Sequence, residues 1–224
     1  MKRSVLIVAA GSGSRMGGKV PKQFLELEGR PVLIHTLERF LSFDSAIHLV
    51  LVLAREHRIY WEQICSKYPD YAGIPVAEGG ENRFGSVKNG LEKISDSGLI
   101  GIHDAVRPFV SQATLKRCFE RAAQSGGAIP VIALEDSIRK TQDEKGSMPM
   151  DRSRLFRVQT PQVFHSSRIK RAYEQAFHPR YTDDASVYES IYKGLSLVEG
   201  NPENIKITTP LDLQLAPVLI RALS

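Results

Sequence analysis

Residues 5–10, Val-Leu-Ile-Val-Ala-Ala, run without a polar side chain into Gly11-Ser12-Gly13-Ser14-Arg15-Met16-Gly17-Gly18. A short apolar run closed by glycines reads as a strand buried on both faces, and such strands belong to parallel sheets covered by helices on either side. With Lys2 and Arg3 ahead of it, the run has the outline of a secretory leader. Its apolar part is too short for one and passes straight into glycine and serine, so an internal first strand is the better fit.

The alternation that a parallel sheet needs continues. Helical spacing over Pro31–Phe43, Arg55–Tyr68, Arg83–Ile94 and Gln112–Gln124 separates apolar runs at Ile47–Leu53, Pro75–Ala77, Leu99–His103 and Ala128–Ala133. This predicts a three-layer α/β domain with a mainly parallel sheet. Asp136 to about Gln159 breaks the pattern: Ser137–Gln142 and Ser153–Gln159 are strand-like around an Asp-Glu-Lys-Gly turn. That span, 136–159, reads either as a β-arm projecting towards a second copy of the chain or as an ordinary edge hairpin. Helices resume at Ser166–Ala176 and Ala185–Lys193, strands at Leu195–Glu199 and Ile205–Thr208, and a last helix near Pro210. Residues 1–224 form one domain on this reading.

Composition narrows the partners. Thirty Lys and Arg against 25 Asp and Glu give a net charge of +5. The basic residues are dispersed, with no basic arm or aromatic stacking motif to mark a nucleic-acid binder, and an anionic small substrate would account for the charge as well; the charge alone decides neither. No apolar run approaches the length of a membrane span. Cys65 and Cys118 stand singly in helix-like segments, as expected of inert thiols in a reducing, cytoplasmic setting. The six histidines lack metal-ligand spacing, and no protein-held metal is expected.

The glycine loop nearly fits two familiar patterns and fails both. A dinucleotide fingerprint needs glycine at position 16, where Met16 stands, and an acidic end to the second strand, where Leu53-Ala54-Arg55 stands. Gly13 to Val20 nearly spells a Walker A loop, but Val20 replaces the magnesium-binding hydroxyl and Pro21 interrupts the helix. What remains is a turn whose backbone N–H groups can wrap an anion, carrying Arg15, Lys19 and Lys22. It reads as a surface loop with solvated cations or as a phosphoryl-binding loop.

Ala9-Ala10-Gly11-x-Gly-x-Arg15-Met16-Gly17, followed by Pro21-Lys22-Gln23-Phe24, resembles the sugar-phosphate nucleotidylyltransferases, and most closely the 2-C-methyl-D-erythritol 4-phosphate cytidylyltransferase family. The resemblance continues in order through Gly79-Gly80-Glu81-Asn82-Arg83, His103-Asp104-Ala105-Val106-Arg107-Pro108 and Thr160-Pro161-Gln162. It ends with Thr182-Asp183-Asp184-Ala185-Ser186 and Gly200-Asn201-x-x-Asn204-Ile205-Lys206-Ile207-Thr208, with Pro210-x-Asp212-Leu213. It departs at Val106, where the family often has alanine, and at Ser137.

The resemblance implies a Rossmann-like nucleotidyltransferase fold and attack of a methylerythritol phosphate oxygen on the α-phosphorus of CTP, with pyrophosphate released. It implies Arg15 and Lys22 as stabilisers of the transition state, a role suited to cations that bracket a developing phosphoryl charge. Ala9, Ala10, Gly11, Gly80, Glu81, Ser86, Asp104 and Ala105 would contact the nucleotide. Arg152, Thr182 and Lys206, with Asp104 and Arg107, would hold the sugar-alcohol phosphate. Magnesium would arrive mainly on the CTP phosphates. Arg152, in the arm, would reach the neighbouring subunit's site, so a homodimer is expected. Read without the resemblance, Asp104 is a turn cap, Arg152 a solvated arm residue and Lys206 an outward side chain on an edge strand. Ribitol 5-phosphate as acceptor, or a nucleotide sensor without catalysis, are the alternatives on the same fold.

Overall fold

Val5, Leu6 and Ile7 have no exposed surface, and burying three such side chains contributes roughly 1.5–3 kcal/mol each. They belong to β1 (Arg3–Ala9), an interior strand of the main sheet. The computed structural model describes residues 1–11, 20–94, 97–141 and 146–222. After β1 come a small hairpin of β2 (Glu26–Leu27) and β3 (Arg30–Pro31), then α1 (Val32–Phe43), β4 (His48–Leu53), α2 (Arg58–Lys67), β5 (Val76–Glu78), α3 (Arg83–Leu91) and β6 (Leu99–Asp104). α4 (Gln112–Ser125) and β7 (Gly127–Ala133) lead to β8 (Ile138–Thr141) and β9 (Ser147–Met150). β10 (Phe156–Val158), β11 (Gln162–His165), α5 (Ser166–Ala172), α6 (Asp184–Glu189), β12 (Ser196–Glu199) and α7 (Pro210–Ala222) follow.

β1 lies between β4 and β6 and is parallel to both, and β5 continues the parallel set beyond β4. Beyond β6 the sheet becomes mixed. β11 runs antiparallel between β6 and β7, β10 pairs antiparallel with the far half of β7, and β12 runs parallel on β7. Side chains alternate across β1 as the pleat requires. Val5, Ile7 and Ala9 face Leu37 and Phe40 of α1 with Leu115 and Phe119 of α4, in a core that also takes Trp61 of α2. Leu6 faces the other way, into the core of Val87, Ile169 and Tyr188 from α3, α5 and α6. α7 covers a smaller core of Val32, Val106, Phe109 and Ile207.

The helix starts carry their own signals. Asn82 Oδ1 accepts from Gly85 N–H at 2.9 Å at the head of α3, and Ser111 Oγ from Thr114 N–H at 3.1 Å at the head of α4. Asp183 and Ser186 form a reciprocal capping box on α6. Gly126, at φ 93°, ends α4 in the left-handed conformation that glycine adopts without strain.

Four features differ from the sequence reading. The hairpin pairs β8 with β9, with Ile138 opposite Met150. The 156–158 stretch turns back into the main sheet instead of pairing with 137–142. β11 has no counterpart in the sequence pattern: only four residues after a proline carry no readable period, and pairing with β6 and β7 makes them a strand. Residues 205–208 are not a ladder strand; Ile207 N–H makes a single bond to Val106 O at 2.9 Å.

Candidate active site

The carboxyl ends of β1, β4, β5 and β6 open on one side of the sheet, where parallel α/β folds bind ligands. A cleft of about 700 Å³ lies there. Ala9, Ala10 and Gly11 line it from the end of β1, Glu78 to Arg83 from the turn before α3, and Asp104 to Val106 from the end of β6. Lys22 and Lys206, from segments far apart in the chain, also line it.

Lys22 opens a single 3-10 turn whose next two residues are its anchors. Gln23, 2% exposed, donates its Nε2–H to Ala9 O at 2.8 Å, with the ring of His57 3.4 Å from the same nitrogen. Phe24 stacks on Tyr60 at 5.1 Å between ring centroids. The end of the glycine loop is thus tied to the end of β1 by one buried carboxamide. Arg15 lies outside the described residues.

The opposite wall is built of backbone. A Cβ on Gly80 would come within 2.7 Å of the Gly85 carbonyl carbon, so only glycine lets the turn sit on the first turn of α3. Gly80 N–H donates to Ser86 Oγ at 3.0 Å, and the Ser86 hydroxyl donates to Asn82 O at 2.9 Å. Ser86 therefore shapes the Gly80 turn before it touches anything in the cleft. Glu81 borders the same turn, exposed.

Asp104 is the electrostatic centre. Its Oδ2 takes Lys206 Nζ at 3.0 Å and Arg107 Nε at 3.2 Å, while Arg83 approaches Oδ1 at 4.0 Å. Burial alone would push this carboxyl up; the charges of Lys206, Arg83 and Arg107 outweigh it and hold it far below the ordinary carboxylate range. Ala105 N–H donates to Val8 O at 3.1 Å, which keeps the end of β6 against β1. Arg107 donates Nη1–H to Asn204 O at 2.7 Å and runs beneath the cleft floor, not into it. It is a strut between Asp104 and the chain that carries Lys206.

His103 lies under Asp104 with no exposed surface. Its Nδ1 sits 2.9 Å from Thr160 Oγ1 and its Nε2 3.0 Å from Arg107 O. Arg107 O can only accept, so Nε2 carries the proton of the neutral imidazole and Nδ1 accepts from the Thr160 hydroxyl, whose oxygen in turn accepts from Asp104 N–H at 3.2 Å. Burial pushes its pKa down to about 4. Both nitrogens are engaged, which leaves His103 no part in proton transfer.

The sequence motifs Thr160-Pro161-Gln162 and Asn201 to Asn204 carry residues whose work only the structure reveals. Gln159 donates to Asn201 O at 2.8 Å, and Asn204 donates to Thr160 O at 2.9 Å. Gln162 donates to Asp183 Oδ2 at 2.8 Å and accepts from Ala185 N–H at 2.7 Å. Residues 159–162 thus brace both the 201–206 segment and the 182–185 turn. Their only signal in sequence is the run of amides beside the charged motifs. Thr182 is exposed at the edge of that turn and does not line the cleft. Nor does Arg152, which sits in an exposed 3-10 turn and donates to Glu135 O.

Among the described residues no three His, Cys, Asp or Glu side chains gather as a metal site. The carboxylate best placed, Asp104, is already ringed by three cations. The cleft can offset negative charge on a substrate through Lys22 and Lys206, and its described lining also carries Glu56, Glu78 and Glu81. Among the described residues no helix is long and apolar enough to cross a membrane.

A family model described as 2-C-methyl-D-erythritol 4-phosphate cytidylyltransferase matches residues 4–222. Proteins of that name from Bacteroides fragilis and Bacteroides thetaiotaomicron are 50% and 48% identical over 220 residues, covering 98% of this chain and 100% of each relative. The crystal structure of the Thermus thermophilus protein of that name superposes with a TM-score of 0.78 at 32% identity, over 99% of this chain and 100% of that one.

Proposed function

The chain belongs to the 2-C-methyl-D-erythritol 4-phosphate cytidylyltransferase family and transfers a cytidylyl group from CTP to that phosphate in isoprenoid precursor biosynthesis, and from this premise we propose how its residues divide the work. A phosphate oxygen of methylerythritol phosphate attacks the α-phosphorus of CTP. The new P–O bond forms as the bond to the β-phosphate oxygen breaks, and pyrophosphate leaves with that electron pair. The nucleophile is already an anion, so no general base is needed. The chemistry asks for alignment and for positive charge beside a phosphorus whose oxygens gain negative charge.

Lys22, with Arg15 from the glycine loop, supplies that charge. The carrying observation is the convergence of Lys22, the Ala9–Gly11 backbone, the Gly80 turn and Lys206 on one cleft. Backbone groups at Gly80 and Glu81, shaped by Ser86, read the cytosine; Ala9, Ala10, Gly11, Asp104 and Ala105 hold base and ribose. Lys206 binds the acceptor phosphate, with Thr182 on the acceptor hydroxyls and Arg107 steadying Asp104. Magnesium enters as part of the nucleotide substrate, bound by its phosphates and by water, which suits a cleft whose one central carboxylate is already charge-balanced. Arg152 acts on the acceptor bound to the partner subunit, through a homodimer joined by the arm. The setting is the reducing cytoplasm, in keeping with two unpaired thiols, of which burial pushes Cys118 up to about 12.

The test is pyrophosphate release from Mg·CTP with methylerythritol phosphate. Lys22→Ala is expected to lower kcat by about two orders of magnitude or more while KM for CTP changes only a few-fold, the mark of a contact made in the transition state. An unchanged kcat would remove Lys22 from that role.

A further inference from the structure

Asp184 has no exposed surface, and its carboxylate is fully engaged. Arg83 donates Nη1–H to Oδ1 at 2.8 Å and Nη2–H to Oδ2 at 2.6 Å, and the Tyr173 hydroxyl donates to Oδ1 at 2.6 Å. The two carboxylates that face Arg83 are treated differently. Both strong ion pairs of Asp104 fall on Oδ2, from Lys206 and Arg107. Asp104 Oδ1 accepts no hydrogen bond among the described residues, and the Arg83 guanidinium stops 4.0 Å short of it.

That stop needs a reason, since a shift of about 1 Å would bring the guanidinium into hydrogen-bond range of Oδ1. Asp184 supplies one. It is enclosed by protein, so its charge is weakly screened, and it matches the planar fork of arginine with both oxygens. Asp104 competes poorly, because two other cations already neutralise it.

We propose that Asp184 is a positioning residue that holds the Arg83 guanidinium back from Asp104, so that Asp104 Oδ1 stays open to accept a ribose hydroxyl of CTP. The inference rests on the reading of the cleft above, in which the base lies at Gly80, the acceptor phosphate at Lys206, and the ribose between them at the end of β6. Asp184 touches neither substrate. It acts by keeping a neighbouring cation off an acceptor atom, and it also explains why a buried aspartate follows the cap residue of α6.

The experiment is a kinetic cycle. In Asp184→Asn the guanidinium loses its charged partner and moves onto Asp104, so KM for CTP is expected to rise about tenfold, with kcat and KM for methylerythritol phosphate within about threefold. Adding Arg83→Gln to Asp184→Asn removes the intruding cation and leaves two amides that can pair. KM for CTP is then expected to recover to within about threefold of wild type. A merely structural pair would not be repaired by a second loss, so a double variant as impaired as Asp184→Asn, or an Asp184→Asn enzyme with wild-type KM, overturns the proposal. If Asp184→Asn does not fold, the double variant decides alone: a rise of about tenfold in its KM for CTP would mean that the nucleotide needs the guanidinium itself. Asp104→Asn separates the underlying reading, because an unchanged KM for CTP there removes the ribose contact whatever the cycle gives.

Discussion

His103 carries a consequence for stability that its place beneath the cleft makes measurable. Its folded pKa of about 4 lies below the ordinary 6.5 because burial disfavours the imidazolium. Between those values the unfolded chain binds a proton that the folded one refuses, so stability falls as pH drops from 6.5 towards 4. By about pH 5 the loss from this one group is about 2 kcal/mol, a large share of a typical folding free energy. His103→Gln keeps a donor for Arg107 O without the titration. Urea midpoints measured from about pH 7.5 to about pH 5 should fall for the wild type and be distinctly flatter for the variant; parallel slopes would assign the acid sensitivity elsewhere. Asp104 contributes in a lower window. Its folded pKa is depressed, so its contribution is complete above the ordinary carboxylate range and is lost on further acidification.

At the scale of elements, the turn at Gly79–Asn82 and α3 behave as one unit. Gly79 N–H is bonded to Leu53 O at 2.7 Å, which fastens the turn to the end of β4, and Gly80 lies against the backbone of Gly85. Gly80→Ala would drive a methyl group into that helix backbone, which cannot yield as a flexible side chain would. The turn must move away from α3, and the Ser86–Gly80 bond goes with it. A KM for CTP at least about tenfold higher, with the acceptor KM little changed, is the expected result, read by steady-state kinetics with each substrate varied in turn. An unaltered CTP KM would show that this wall does not read the nucleotide. The sequence made α3 and the glycine pair legible, because helix caps and glycine runs leave local marks. It did not reveal that Ser86 shapes the turn, since that bond depends on how the helix docks.

The whole molecule has an exposed side that the cleft does not account for. β8 and β9 form a two-stranded sheet of their own, and in the stretch 147–158 Met148, Met150, Phe156 and Val158 are each about two-fifths exposed. Arg152 sits among them, outside the cleft of its own chain. If it serves a partner's site, a chain bearing Arg152→Ala mixed with one bearing Lys22→Ala should regain about a quarter of wild-type activity. About half of randomly formed dimers are then hybrids, and each hybrid holds one intact site. Mixtures no more active than the parent variants would confine Arg152 to its own chain.

The three-layer class and most of the order of elements were legible in the sequence, and Lys22 and Lys206 were marked by the motifs that carry the family resemblance. The cause is local: buried strands, amphipathic helices, caps and glycine loops leave their periods and residue types in consecutive positions. Tertiary structure alone decided which distant groups meet. β11 became a strand only by pairing with β6 and β7. Arg107 became a strut because Asn204 lies beneath it, and Arg83 was drawn to Asp184, 101 positions away, rather than to Asp104. Such choices depend on distance, burial and competition for hydrogen bonds between segments far apart in the chain, and a linear pattern does not record them.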